Sequence, residues 1–174
     1  MGELINIDPQ DIKGKYLTFS LMEEQYGVNV DWILQIIAIP DITKIPRTPT
    51  YVKGVINLRG KIIPIMDLRL RFQLPEIDYN ERTSVVIVKV KMEKADIFIG
   101  FIVDKVSEVL DIMEEEIEKT PSFGIEIENQ FILGMAKVKG NVVTLLNVNE
   151  IIEAIDLSIG DEKNHFLECP WQKK

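Results

Sequence analysis

Residues 52–72 read VKGVINLRGKIIPIMDLRLRF. Two apolar runs, 52–58 and 61–66, meet at Arg59-Gly60, where a glycine reaches positive φ without a Cβ clash. Two strand-like runs joined by two residues predict a β-hairpin. Pro64 brings no N–H to a sheet ladder, so the second run is expected as an edge or bulged strand. DLRLRF (67–72) can close as one or two helical turns. The question left by this stretch is Arg59, which is a reactive group, a contact for a partner, or the polar tip of a turn.

Outward from the hairpin, the chain keeps the same texture. KYLTFSL (15–21) and QYGVNV (25–30) alternate as half-buried strands, and DWILQIIAI (31–39) fits either a short helix capped by Asp31 or a continued, irregular strand. TKIPRTPTY (43–51) reads as a loop because of its two prolines. TSVVIVKVK (83–91) and DIFIGFIVDKV (96–106) are rich in β-branched residues and predict strands. MEEEIEKTP (113–121) can hold a turn of helix, FILGMAKVKGNVVTLL (131–146) predicts another hairpin, and NVNEIIEAI (147–155) predicts an Asn-capped helix. Residues 156–174, with His165, Cys169 and Trp171, read as a loosely attached tail.

Laid against itself, the chain repeats. A shift of 80 sets Gly54 on Gly134, Gly60 on Gly140 and Asp67 on Asn147, with apolar residues shared at nine further positions between 52 and 68. A shift of 73 sets Gly27 on Gly100, Val30 on Val103 and Asp31 on Asp104. Two ordered matches with aligned glycines predict a mainly β fold of two similar small barrels with short helices, packed side by side with a groove at their junction.

Composition bounds what such a fold does. The 174 residues carry 28 acids against 20 bases, a net charge of −8, which opposes a broad phosphate-binding face and makes nucleic acid an unexpected partner. The single cysteine cannot form an internal disulfide, no apolar run approaches the roughly 20 residues that span a bilayer, and the first ten residues lack a signal-peptide pattern. A cytoplasmic location without membrane insertion is expected. Catalytic constellations are wanting. His165 is the only histidine and lies in the tail, two residues at 165 and 169 do not make a zinc site, and no phosphate-cradling glycine pattern follows a strand. Asp31, Asp67 and Asp104 stand at strand ends, where capping accounts for them; a small acidic hydrolase using Asp67 and Asp104 is the remote enzymatic alternative. No metal and no cofactor are called for.

The segments YGVNVDWILQI, TKIPRTPTYVKGVINLRGKIIPIMDLRLRF, IFIGFIVDKVSEVLDI and FILGMAKVKG occur in an order that resembles the CheW-type chemotaxis coupling proteins. The resemblance covers residues 14–155 as one CheW-like domain made of two subdomains, with a boundary near 75–83 and exchange of strands between them left open. It implies two five-stranded SH3-like barrels and a non-enzymatic adaptor. The adaptor would couple the histidine kinase CheA, through its regulatory domain, to the cytoplasmic tips of methyl-accepting chemoreceptors, which would recruit it to membrane-bound arrays. A coupling protein for a different signalling array is the alternative.

Carried over residue by residue, the receptor groove falls on Ile33, Gln35, Ile36 and the hairpin Asn57, Leu58, Arg59 and Gly60. Kinase contacts fall on Val28 and Val30 in the first barrel and on Phe123 in the second. One departure is chemical: members of this family often carry Glu where this chain has Gln35, and Gln35 cannot form an ion pair with Arg59. For Arg59 itself the repeat offers the plain reading, since Lys139-Gly140 occupies the equivalent place. What distinguishes the first copy is Asn57-Leu58 in place of Lys137-Val138, and arginine's planar, multi-donor head in place of lysine.

Overall fold

A computed structural model of the chain describes residues 9–91, 95–118 and 129–158. Phe123, His165, Cys169 and Trp171 lie outside the described residues. The elements, in order, are α1 (Pro9–Ile12), β1 (Gly14–Leu21), β2 (Glu24–Asn29), β3 (Ile33–Ala38), β4 (Val52–Leu58), β5 (Lys61–Asp67), α2 (Leu68–Arg71), β6 (Ser84–Lys91), β7 (Asp96–Val103), β8 (Lys105–Ile112), β9 (Ile117–Glu118), β10 (Ile132–Val138), β11 (Asn141–Leu146) and α3 (Val148–Ser158). They form two sheets, ordered β8-β1-β2-β11-β10-β9 and β3-β6-β7-β5-β4. The first gains a sixth, two-residue strand, β9, beyond the five expected of each barrel.

The sequence repeat is reproduced in the topology, and at a shift of 80 the two hairpins pair in the same register. The β4–β5 hairpin turns through Arg59 (φ 53°) and Gly60 (φ 85°), and the β10–β11 hairpin turns through Lys139 (φ 51°) and Gly140 (φ 80°). Both turns therefore place two left-handed residues between paired strands, the arrangement that matches the natural twist of a hairpin. Each hairpin's second strand then pairs in parallel with a strand from elsewhere, and the contact residues correspond: Ile65 opposite Gly100, and Leu145 opposite Gly27. A short capped helix follows each hairpin. Asp67 accepts from the Arg69 and Leu70 amides at 2.9 and 3.4 Å, and Asn147 accepts from the Glu150 amide at 3.3 Å.

The chain crosses between sheets twice. After β2 it runs through a single 3-10 turn at Val30–Trp32 into β3, which pairs with β6 in the other sheet. After β7 it turns at Asp104 into β8, which pairs with β1 in the first sheet. Residues 75–83 connect α2 to β6 and remain with the second sheet.

DWILQIIAI is the irregular strand of the two alternatives, not a helix. The segment comprises the 3-10 turn and then β3, with a register shift between Ile33 and Gln35. Pro64 is not on an edge. β5 lies between β4 and β7, but its pairing with β7 begins at Ile65, so the missing N–H of Pro64 costs that ladder nothing. The hairpin's irregularity falls on β4 instead, where the register shifts between Val52 and Gly54.

Burial explains why the two sheets form one body. A small core belongs to the first sheet, around Tyr16, Ile112, Val143 and Leu145, and another to the second, around Ile56, Ile63, Ile65 and Val85. The largest core is shared, drawing on β1, β2, β5, β6, β7 and α3 together. Through it run the rings of Phe19, Tyr26, Phe72 and Phe131, with successive centroids 6.1, 6.0 and 6.1 Å apart. The junction of the two sheets is thus filled with side chains and is not the groove that two abutting barrels suggest.

The repeat-related glycines are not interchangeable. Gly54 has φ 140°, and a Cβ there would lie 2.0 Å from the Thr43 carbonyl oxygen, because Thr43 and Val55 exchange backbone hydrogen bonds of 2.9 and 2.8 Å across it. At Gly134 the nearest atom to such a Cβ is 3.4 Å away, an ordinary contact. Gly54→Ala is expected to destabilise by roughly 2–3 kcal/mol and Gly134→Ala by under about 1 kcal/mol. Urea unfolding of the two variants checks this, and equal midpoints would contradict it.

Candidate functional site

Each hairpin tip leans over the strand that crosses between sheets, and a groove lies between them. In the second sheet, Leu34, Gln35, Leu58, Arg59, Lys61, Ile63 and Phe98 line a groove of about 260 Å³. The strand β3 supplies one wall, the β4–β5 hairpin the other, and Phe98 of β7 stands between them. The sheet's two outer strands are drawn together because Thr43, just after β3, bridges to Val55 on β4.

Exposure along β3 decides which side chains a partner meets. Leu34 is 52% and Ile36 43% exposed, among the few large apolar residues left in solvent. Ile33, Gln35 and Ile37 are half-buried, and Ile33 packs against the shared core. Of the apolar residues expected in this groove from sequence, Ile36 stands outward and Ile33 faces inward, and neither is among the side chains that line it. Leu34 was not singled out in the sequence and is the more exposed neighbour. Its signal was present in the strand alternative, since period-2 alternation puts 34 and 36 on one face.

At the hairpin the residues divide by role. The Asn57 side-chain oxygen accepts the Gly60 amide at 2.9 Å and braces the turn, so that oxygen already has a structural partner. Leu58 is half-buried, and Arg59 and Gly60 are exposed. Arg59 takes part in none of the ion pairs among the described residues. Lys61 lies over the Phe98 ring at 4.1 Å, and Lys89 lies 6.0 Å from the same ring.

Val28 and Val30, expected at a kinase contact, lie elsewhere. Val28 is fully buried in the shared core, which closes its side chain to direct contact; Val30 is half-buried against the same core, at the crossing into β3.

The first sheet carries the counterpart groove, of about 360 Å³. Each of the seven residues around the first groove has a repeat-equivalent around the second: Ser107 for Leu34, Glu108 for Gln35, Val138 for Leu58, Lys139 for Arg59, Asn141 for Lys61, Val143 for Ile63 and Gln25 for Phe98. The fold therefore builds the groove twice, and the side chains differentiate the copies. Gln25 donates to Ser20 Oγ at 2.9 Å, and Thr18 exchanges bonds of 2.7 and 3.2 Å with the Glu108 backbone. In this second groove the Thr18 and Gln25 side chains are thus already hydrogen-bonded within the protein.

The carboxylates that an acidic hydrolase would need are committed to structure. Asp67 caps α2 and accepts the Tyr79 hydroxyl at 2.7 Å. The Tyr79 phenol is pushed well above its usual range, first by burial and then by that bond to a carboxylate, so it stays a neutral donor. Asp104 accepts two bonds from the Arg69 guanidinium, at 2.6 and 2.5 Å, and a third from the Met22 amide at 3.0 Å. Arg69, its guanidinium held by Asp104, is pushed further up from an already high value. No group of three metal-ligating side chains occurs among the described residues, and no helix among them is long and apolar enough to cross a membrane.

Comparison with known proteins places this geometry. A family described as "CheW-like domain" matches residues 15–156. The chain is 33% identical over 147 residues to the chemotaxis protein CheW of Thermotoga maritima, covering 83% of this chain and 91% of that one. It is 32% identical over 139 residues to that of Helicobacter pylori, covering 80% and 81%. The crystal structure of the scaffolding protein TtCheW from Thermoanaerobacter tengcongensis superposes with a TM-score of 0.73 at 35% identity, covering 81% of this chain and 93% of that one.

Proposed function

This chain belongs to the CheW-like family, and from that premise we propose that it is a non-enzymatic adaptor that couples the kinase CheA to the cytoplasmic tips of methyl-accepting chemoreceptors. The observation that carries the proposal is the asymmetry of the two grooves. Of the two, only the one in the second sheet is lined by an exposed aliphatic side chain, Leu34, together with two cations, Arg59 and Lys61, and no acid. A receptor tip is a helical hairpin, and an apolar groove with a polar rim is how helices are generally gripped. In this reading Leu34, Ile36, Leu58 and Arg59 meet the receptor directly, Gln35 lines the groove, Asn57 and Gly60 hold the turn, and Ile33 supports β3 from beneath.

The kinase regulatory domain is assigned to the surface around Val30, with Val28 as its internal support, and to Phe123. Residues 14–155 act as a single domain with two faces, which lets one small protein hold kinase and receptor in a fixed relation and bias kinase activity. Recruitment to membrane-bound arrays follows from receptor binding.

A pull-down from lysate of the same cell is expected to recover CheA and receptors with the tagged protein. Recovery of neither would contradict the reading, and recovery of components of another signalling array would replace it. Within the groove, Leu34→Glu is expected to weaken co-sedimentation with receptor-bearing membranes by about tenfold, because it puts a charge on an apolar anchor. Arg59→Ala should weaken it more than Lys139→Ala does. Equal effects of the two hairpin variants would reduce both tips to polar turns.

A further inference from the structure

The chemistry of the groove's occupant follows from a charge that the fold leaves unbalanced. The seven residues lining the first groove include two cations, Arg59 and Lys61, and no acid. Its repeat-equivalent carries one cation, Lys139, and two acids, Glu23 and Glu108. Position 35 is the key difference: Gln35 stands where the second copy has Glu108, just as Arg59 stands where it has Lys139. The fold therefore accepts a carboxylate in that place, and the first groove goes without one. This happens in a chain of net charge −8; Arg59, Lys61 and Lys139 alike take part in none of the ion pairs among the described residues, so the two grooves differ in the acids that line them.

We propose that Gln35 keeps this groove cationic, and that the groove recognises a partner helix presenting an aliphatic side chain beside a carboxylate. The aliphatic group would enter between Leu34, Leu58 and Phe98, and the carboxylate would meet Arg59 and Lys61 at the rim. An added β-strand fits less well. β3 is an outer strand, but its register shifts between Ile33 and Gln35, and β4 is likewise shifted and already bridged by Thr43. Such irregularities blunt an edge against strand addition and leave side-chain docking as the mode. The identity of the helix as a receptor tip rests on the functional reading above; its chemistry does not.

Two probes separate these layers: receptor-bearing membranes from the same cell, and a pair of amphipathic helical peptides in which leucine is flanked by glutamate or by lysine. The unaltered full chain is expected to prefer the glutamate peptide by about tenfold and to lose membrane binding as salt rises. Gln35→Glu should weaken both interactions by about threefold to fivefold at low salt and flatten their salt dependence, whereas Glu108→Gln should change neither. Membranes that do not bind, with a glutamate peptide that binds in this position-35-dependent way, overturn the receptor assignment and support the groove chemistry. Membranes that bind with no dependence on position 35 or on salt overturn the groove chemistry and leave the receptor assignment standing. Failure of both probes to bind overturns both.

Discussion

Asp104→Ala is expected to cost about 3–5 kcal/mol of folding stability, read as a fall in the urea midpoint with little change in slope. The reason is the position of Asp104 at the second crossing between sheets. Its backbone amide donates to Ser20 O at 3.1 Å and its side chain accepts from Met22 N, both in the β1–β2 hairpin of the first sheet. The same carboxylate holds Arg69, which follows β5 in the second sheet and also donates to Pro75 O at 3.0 Å. The side chains of Arg69 and Asp104 are only 11% and 19% exposed, so removing the carboxylate strands a guanidinium that water reaches poorly. Replacing both partners together, as Arg69→Met with Asp104→Leu, should recover more than half of the loss, because no charge is then left buried. A single-variant loss below about 1 kcal/mol would mean that this pair does not clamp the sheets.

Phe72→Ala is expected to cost about 3–5 kcal/mol and to lower the stability of both sheets together. Phe72 is 2% exposed and lies between the rings of Tyr26 and Phe131, which come from the first sheet's side of the shared core. Truncation removes a large buried ring, its two aromatic contacts and the filling of the junction at once. Because the shared core draws on strands of both sheets, far-UV circular dichroism and Trp fluorescence should report one coincident transition in the variant as in the parent. Two separated transitions would show that the subdomains fold independently and that the junction is not the main source of cohesion.

Much of this architecture was legible in the sequence because the repeat is carried by residues with narrow backbone or packing demands. Gly60 and Gly140 mark the left-handed turns, Gly27 and Gly100 the parallel contacts, and Asp67 and Asn147 the caps. The destination of β3 and β8 was not legible. A strand's local pattern specifies which face is buried but not which sheet receives it, and the 3-10 turn at Val30–Trp32 that redirects the chain has no distinctive composition.

The site shows the same division. The Arg59 hairpin could be placed from its turn chemistry, and its echo at Lys139 is realised in a matching turn. The apolar wall was harder to read. Ile33 and Ile36 share a face in a helix, where residues three apart are neighbours, but not in a strand, where Leu34 joins Ile36 instead. Phe98 comes from β7, remote in sequence, and only the tertiary fold sets it against Lys61. Asn57 shows how a structural duty can resemble a functional one, since its carboxamide braces the turn at Gly60.

Coupling itself is tested most directly by sedimenting purified CheA with receptor-bearing membranes while this protein is titrated in. The kinase is expected to enter the pellet in proportion to added protein, and Leu34→Glu should abolish that increase while its unfolding midpoint stays close to the parent's. A kinase that pellets equally with and without the protein, or that responds to the Leu34→Glu variant as to the parent, would contradict an adaptor acting through the groove between β3 and the Arg59 hairpin.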